Sequence, residues 1–183
     1  PLSTAEFGYY AELCGTTIAA LRAGTDASLN SPWEMFTNRL LKTSGSATGT
    51  GATFRPAIAF LRLRFETGEA TDWSGQKVPR FSVFERVPGA TLVGTASPGS
   101  PGTISLWLQT NEGRLLQYVD QGIADGDGSF RLRVPYSTER TKDTQVRPLE
   151  DFLVLTDAGA FRVLVGEDGV VNAREVPVEQ KDI

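Results

Sequence analysis

Apolar residues near the start of the chain recur at helical spacing. Phe7, Tyr10, Cys14, Ile18 and Leu21 follow one another at intervals of three and four residues, which is typical of the buried face of an amphipathic helix. A Ser-x-x-Glu capping sequence precedes this run, and a glycine follows it. The pattern therefore predicts a helix that must pack its apolar face against another part of the protein.

A second helix is predicted to begin at Ser31. Pro32 stands at the first helical position, Glu34 lies in the first turn and Lys42 at the end, where each charge suits the helix dipole. The stretch 43–53, made of Ser, Thr, Gly and Ala, is typical of a flexible loop. We therefore expect residues 1–55 to form a short helical part.

Beyond this loop the period of the pattern changes from helical to two. Leu61, Leu63 and Phe65 alternate with charged residues, which predicts a half-buried strand with these three side chains inside. Similar short runs predict further strands at Phe81–Val87, Ala90–Thr95, 104–108, Leu115–Val119, Phe130–Val134, Phe152–Thr156 and Phe161–Val165, and a final Val-rich strand after a turn at Asp168-Gly169.

Turns rich in Asp, Gly and Pro join these strands without intervening helices, which favours an antiparallel sandwich or barrel. The predicted fold class is α+β. A short N-terminal helical part, residues 1–55, packs on a predominantly antiparallel β-domain, residues 56–183. The boundary falls between 56 and 80.

Composition excludes several classes of site. The chain has 183 residues, a net charge of −4, one cysteine and no histidine. The charge disfavours nucleic acid as a partner, and the missing imidazole excludes Ser-His-Asp triads and His-ligated zinc. The uncharged stretch 13–21 is too short to span a bilayer. Because the chain starts at Pro1 rather than Met, it is either processed or a fragment of a larger protein, and we expect a fragment.

Acidic residues offer two candidate chemistries. Asp120, Asp125 and Asp127 could form a calcium loop, but the Asp-Gly-Asp-Gly sequence at 125–128 is better explained by a hairpin turn. Glu85 and Arg86 could be a catalytic acid and its tuning cation, although a cross-strand ion pair is the favoured interpretation.

The remaining candidates have equally ordinary explanations. Trp33, Trp73 and Trp107 could stack on sugars, but core or interface packing is favoured for each. Cys14 could be a nucleophile, although its place on the apolar stripe favours packing. The pair Asn38-Arg39 could reach a substrate carboxylate or be solvated. Residue chemistry alone thus assigns no catalytic residue and no metal ligand, and leaves any substrate-binding residue unknown.

Five segments carry an ordered set of motifs. They are Met35–Leu40, Phe60–Glu66, Phe84–Ala90 followed by a strand and Gly94, Asp125–Phe130, and Val134–Thr138. The set, which covers roughly residues 31–138, resembles the single-chain archaeal oligosaccharyltransferases of the AglB type.

The resemblance implies a function for the parent protein. It implies a membrane enzyme that transfers a lipid-linked oligosaccharide to the Asn of Asn-x-Ser/Thr acceptor polypeptides, with a divalent metal (Mn or Mg) and catalytic carboxylates in its transmembrane portion. This chain would be its C-terminal globular portion, on the extracytoplasmic face of the membrane, where it supports acceptor binding. It would be inactive alone, without a cofactor of its own, and would reach the membrane only through a missing N-terminal portion.

The sequence departs from the family in its acceptor-binding motifs. Trp-Trp-Asp-Tyr-Gly is absent, and the Asp-x-x-Met or Asp-x-x-Lys helix expected near Leu2–Tyr10 is not present as such. We therefore carry over no catalytic or acceptor-binding residue. The alternative is a non-enzymatic extracellular β-domain that binds carbohydrate or protein through its tryptophans.

Overall fold

Twelve strands and a short helix are defined in the computed structural model, which describes residues 9–13, 16–22, 40, 43–50, 54–71, 75, 77–140 and 145–178. In chain order they are β1 (Tyr9–Leu13), β2 (Thr16–Arg22), β3 (Leu61–Thr71), β4 (Lys77–Arg86), β5 (Ala90–Thr95), β6 (Pro101–Gln109), β7 (Leu115–Ile123), β8 (Ser129–Val134), β9 (Arg147–Pro148), β10 (Phe152–Thr156), β11 (Gly159–Val163), α1 (Glu167–Val171) and β12 (Glu175–Pro177).

The strands form three sheets. Their orders are β1-β2-β4-β3, β11-β10-β6-β7 with β9 also paired to β6, and β12-β5-β8. All pairs are antiparallel except β12 with β5. The predicted, predominantly antiparallel β-architecture is confirmed.

The predicted first helix is wrong. The backbone forms β1 at Tyr9–Leu13 and β2 at Thr16–Arg22, with Leu13 opposite Thr16, and β2 pairs with β4. Tyr, Thr and Ile in this stretch favour strands, and β4 provides an edge on which the hairpin extends the sheet, so tertiary pairing overrides the helical spacing. Most of the predicted second helix lies outside the described residues. The pairing of β2 with β4 crosses residue 55, and the division into domains stays a prediction.

A β-bulge in β3 reverses the predicted alternation. Leu61 and Leu63 are buried as expected, but the register with β4 shifts between Leu63 and Phe65. As a result, Phe65 is 36% exposed, whereas Glu66 is only 1% exposed. An extra residue in one strand turns the following side chains to the opposite face, which strict period-two patterning does not anticipate.

One hydrophobic core joins the three sheets. Its largest fully buried aromatic side chains are Phe84, Tyr118, Phe130 and Phe152. The ring of Tyr118 packs edge-on against Tyr136, with 5.4 Å between centroids and 65° between planes. Aromatic pairs in this geometry stabilise a core beyond their buried area.

The end of the chain differs from the prediction. The expected turn at Asp168-Gly169 is wrong, because these residues lie in α1, where the Val170 N–H donates to the Gly166 carbonyl. The only strand described after it, β12, is short and runs parallel to β5. The Asp-Gly-Asp-Gly turn is confirmed, since the Gly128 N–H donates to the Asp125 carbonyl at 2.9 Å.

Candidate functional site

A buried arginine ties two strands to the helix. Arg62 and Glu85 are register partners on β3 and β4, with 2.7 Å between Nε and Oε2. The Arg62 guanidinium also donates to both carboxylate oxygens of Glu167, at 2.7 and 2.8 Å. The prediction of a cross-strand ion pair at Glu85 is confirmed, with Arg62 rather than Arg86 as its partner. This bidentate geometry is the strongest arrangement available to an arginine and a carboxylate.

The pKa values of this cluster agree with an ion pair. Burial alone would lower the pKa of Arg62, but the hydrogen bonds and charges of Glu167 and Glu85 outweigh it, so the pKa is raised. Burial acts to raise the pKa of Glu167, yet hydrogen bonding and charge from Arg62 hold that pKa below its ordinary value. Arg62 and Glu167 both stay charged near neutral pH, which suits fastening α1 to the sheet rather than proton transfer.

A second ionic network lies around Glu66. Its carboxylate accepts a hydrogen bond from the Thr110 hydroxyl at 2.6 Å and from Arg114 Nε at 3.0 Å. The side-chain amide of Asn111 makes two hydrogen bonds to the backbone of Glu66: it accepts from the Glu66 N–H and donates to the Glu66 carbonyl. The buried charge is therefore fully paired, and it connects β3 to the β6–β7 turn. This network caps the outer edge of β3 rather than forming a reactive site.

The three aspartates of the candidate calcium loop do not act together. The Asp120 carboxylate accepts from the backbone N–H groups of Ala57 and Gln121, both at 2.9 Å. The Asp127 carboxylate accepts from the Ser129 N–H within the hairpin, and this hydrogen bond lowers the pKa of Asp127.

No group of three His, Cys, Asp or Glu side chains among the described residues could hold a metal ion. The described part of the chain therefore does not fit the divalent metal implied for the parent enzyme, and we derive no step through that metal.

The glycine-containing motifs are explained by close packing. Gly89 has φ +81°, and a Cβ there would lie 3.1 Å from the carbonyl oxygens of Ala59 and Val134. A Cβ on Gly94 would lie 2.4 Å from Cζ of Phe130. The hydroxyl of Tyr136, in the Pro-Tyr-Ser corner, accepts a hydrogen bond from the Leu63 N–H at 2.9 Å, and burial raises its pKa to about 12. These motif residues specify the fold.

A polar cleft of about 480 Å³ lies along β7, the last strand of its sheet. Backbone and side-chain hydrogen bonds hold residues 46–47 against this strand, from the Ala47 N–H to the Val119 carbonyl and from the Ser46 hydroxyl to the Gln117 carbonyl. The composition of 43–53 predicted a flexible loop and gave no indication of the cleft. Only the alternation of β7, which turns Gln117 outward, could have indicated part of it.

The other predicted site residues divide into two groups. Trp107 is described and is 40% exposed on β6, so it does not belong to the core, and packing at an interface stays a prediction for this tryptophan. Cys14, Trp33, Trp73 and the pair Asn38-Arg39 lie outside the described residues. No helix in the described ranges is long and apolar enough to cross a membrane.

The family comparison gives the class of domain. Residues 89–176, from the glycine motif before β5 to β12, match the archaeal glycosylation protein B long peripheral domain. This stretch is therefore similar to the β-rich peripheral domain of archaeal glycosylation proteins.

A relative of known activity is similar to part of the chain. A stretch of 58 residues is 40% identical to the dolichyl-monophosphooligosaccharide–protein glycotransferase AglB of Haloferax volcanii, covering 30% of this chain and 5% of that protein. The resemblance to archaeal oligosaccharyltransferases of the AglB type is therefore confirmed.

Solved structures share the fold. The Archaeoglobus fulgidus oligosaccharyltransferase in complex with Zn and sulfate superposes with a TM-score of 0.65 at 14% identity, over 79% of this chain and 24% of that one. The AglB complex from the same organism with an inhibitory peptide and a dolichol-phosphate gives a TM-score of 0.64 at 15% identity, over 85% and 25% of the two chains. The chain thus spans about a quarter of the length of the solved proteins it matches.

Proposed function

We propose that this chain is the C-terminal globular portion of a membrane oligosaccharyltransferase that transfers a lipid-linked oligosaccharide to Asn of Asn-x-Ser/Thr acceptors. The observation that carries the proposal is the match of residues 89–176 to the peripheral domain of archaeal glycosylation protein B. The chain's own role is to support the acceptor-binding region. The extracytoplasmic face of the membrane is the corresponding location.

The ionic clusters support a scaffolding role. Arg62 fastens α1 to β3 and β4, and Glu66 fastens β3 to the β6–β7 turn, so the sheets form a stiff body. A stiff body can hold a neighbouring binding element at a fixed place, which lowers the entropy cost of binding an extended peptide. Because every charge in these clusters is paired, we assign no catalytic step to them.

The parent gene tests the family assignment. The proposal expects the reading frame upstream of residue 1 to encode several hydrophobic spans followed by Trp-Trp-Asp-Tyr-Gly. An upstream region with only a signal peptide and further β-repeats would contradict it and would support the non-enzymatic binding domain instead.

Kinetics of the parent enzyme test the supporting role. Arg62→Met in the longer protein should raise the KM for an Asn-x-Thr peptide while leaving the KM for the lipid-linked donor and kcat unchanged, since only the acceptor region loses its support. Phe60→Ala, a change at an exposed side chain, is the control and should leave all three constants unchanged. A fall in kcat alone, or no change in the acceptor KM, would contradict the supporting role.

A further inference from the structure

Three Asp-Gly pairs make the chain susceptible to a spontaneous backbone reaction. They are Asp125-Gly126, Asp127-Gly128 and Asp168-Gly169. In this reaction the backbone nitrogen of the glycine attacks Cγ of the preceding aspartate, and glycine favours the attack because it has no side chain beside that nitrogen. The three pairs differ in how firmly the fold holds the nitrogen and the carboxylate.

The first pair lies at the tip of the hairpin between β7 and β8, where both residues are exposed. Within the part of the chain that the structure describes, the Asp125 carboxylate accepts no hydrogen bond and pairs with no cation. Over the same residues the Gly126 N–H makes no hydrogen bond, and a Cβ placed on Gly126 would have no atom within 4 Å apart from its chain neighbours. The nitrogen and the carboxyl group of this pair are therefore free, with space around them for a cyclic imide.

The second pair is engaged by the same turn. The Asp127 carboxylate accepts from the Ser129 N–H at 2.9 Å, and this hydrogen bond lowers the pKa of Asp127, so the group stays ionised and is a poor electrophile. The Gly128 N–H donates to the Asp125 carbonyl at 2.9 Å. A Cβ on Gly128 would lie 2.8 Å from the carbonyl oxygen of Ala96, so the nitrogen has little room. Ring closure at this pair must first break both hydrogen bonds.

The third pair lies in α1 and is held by side chains. Oδ1 of Asp168 accepts from the side-chain amide of Asn172 at 2.7 Å, and Oδ2 lies 2.6 Å from Nε of Arg174. Gly169 is buried within the helix. The carboxylate is therefore fixed at both oxygens, and the attacking nitrogen is shielded from solvent. Of the three pairs, only the first combines a free carboxylate with a nitrogen that makes no hydrogen bond.

We propose that Asp125 is the site at which this chain forms isoaspartate. The Gly126 nitrogen bonds to Cγ of Asp125, the bond from Cγ to its hydroxyl oxygen breaks, and that hydroxyl leaves as water with the amide proton. Water then adds to the imide and breaks the bond between the Gly126 nitrogen and the former main-chain carbonyl carbon, so the backbone continues through Cβ and Cγ. One water leaves and one returns, and the modification does not depend on the proposed function in the parent enzyme.

The added methylene lengthens the hairpin turn. Two backbone hydrogen bonds close this turn, from the Asp125 N–H to the Ser129 carbonyl at 2.7 Å and from the Gly128 N–H to the Asp125 carbonyl. Isoaspartate places an extra carbon between them and converts the Asp125 carbonyl into a carboxylate outside the main chain. We therefore expect the amides of Asp125 and Gly128 to exchange with solvent about tenfold faster, the equivalent of one lost hydrogen bond.

Peptide mapping after ageing tests the proposal directly. The folded chain is incubated at mildly acidic pH in heavy-oxygen water, which labels each imide that hydrolyses, and is then digested with trypsin in ordinary water. Trypsin separates the peptide 115–131, which contains the first two pairs, from the peptide 163–174, which contains the third. Electron-transfer fragmentation then distinguishes isoaspartate from aspartate at each residue. Isoaspartate at residue 125 is expected to exceed that at 127 and at 168 by about tenfold, because each of the other pairs must first lose hydrogen bonds.

Matched variants separate the ring closure from simple exposure of the turn. Asp125→Asn should form isoaspartate faster, because a neutral amide is a better electrophile than an ionised carboxylate. Asp125→Glu should form none at this residue, since its carboxyl group is one carbon further from the nitrogen. Gly126→Val should slow the reaction about tenfold, because a β-branched side chain obstructs the nitrogen. In urea, where the fold holds none of the pairs, all three should react at similar rates.

Three results would overturn the proposal. One is isoaspartate at residue 127 or 168 at the level found at 125 in the folded chain. Another is a folded chain that takes up no heavy oxygen at residue 125 over a period in which the urea-unfolded chain does. The third is a folded Asp125→Asn variant that reacts no faster than the unmodified chain. Peptide glycosylation by the parent enzyme could still be observed in each case, so failure here is distinguishable from failure of the proposed function.

Discussion

Gly94→Ala should destabilise the chain because its new methyl group meets the fully buried ring of Phe130. The added Cβ would lie 2.4 Å from Cζ and 2.7 Å from Cε1 of Phe130. Carbon atoms normally approach to about 3.5–4.0 Å, so the ring must move by about 1 Å. The other side of the ring offers little room, since a Cβ at Gly102 would already lie 3.3 Å from three of its atoms.

The size of the effect follows from two opposing contributions. Overpacking a well-filled core costs about 1–3 kcal/mol. Replacing glycine by alanine also reduces the entropy of the unfolded chain, which offsets about 0.4–1 kcal/mol of that cost. The expected net loss is about 1–2 kcal/mol, or a fall in Tm of roughly 2–8 °C for a chain of this size.

Urea unfolding followed by circular dichroism measures this loss. Gly126→Ala is the matched control, because Gly126 has no atom within 4 Å of the added Cβ, and its stability should change by less than about 0.5 kcal/mol. In a double-mutant cycle, Phe130→Leu should relieve part of the Gly94→Ala penalty. A Gly94→Ala variant as stable as the unmodified chain, or strict additivity with Phe130→Leu, would refute the reasoning.

Three further predictions concern the ionic and tyrosine contacts. Arg62→Met should cost about 3 kcal/mol in urea unfolding, because Glu167 loses its bidentate partner while Glu85 keeps only Arg64, at 3.5 Å. A loss below about 1 kcal/mol would contradict this. Because the pKa of Glu167 is lowered from its ordinary value of 4.5, its ion pair stabilises the fold above pH 4.5, and this stability is lost as the pH falls through the lowered pKa. Glu167→Gln should therefore flatten the acid side of a plot of unfolding free energy against pH. An unchanged slope would contradict this assignment. With its pKa raised to about 12, Tyr136 favours folding below pH 10, and this stability is lost between about pH 10 and 12. Tyr136→Phe should remove the fall in unfolding free energy over this pH range. It should also cost about 1–3 kcal/mol at neutral pH, because the Leu63 N–H loses its acceptor.

Local patterns predicted the strands well where burial alternates regularly. Ala90–Thr95 and Phe152–Thr156 form strands with the predicted ends, because both have β-branched or aromatic residues and lie between turn residues. The pattern failed at Tyr9–Arg22, where helical spacing coincided with residues that pair with β4. The spacing of apolar residues within one segment carries no information about the strand with which that segment pairs, so it could not predict the pairing with β4.

Parts of the candidate site could not be predicted for the same reason. The burial of Glu66 depends on a bulge before it and on Thr110 and Arg114 far along the chain. Trp107 and Gln117 become neighbours only through the register of β6 and β7. The resemblance to a known family did identify the domain. Its glycine and tyrosine motifs lie where distant segments of the chain pack closely, and such contacts cannot be predicted from local patterns.

Peptide glycosylation by the parent protein tests the central claim most directly. The longer protein is purified in detergent and incubated with lipid-linked oligosaccharide and a fluorescent Asn-x-Thr peptide, with the matching Gln-x-Thr peptide as control. The account predicts a slower-migrating glycopeptide from the Asn peptide alone. If the purified protein binds its donor lipid and is folded, yet modifies neither peptide, the assignment to an oligosaccharyltransferase is contradicted.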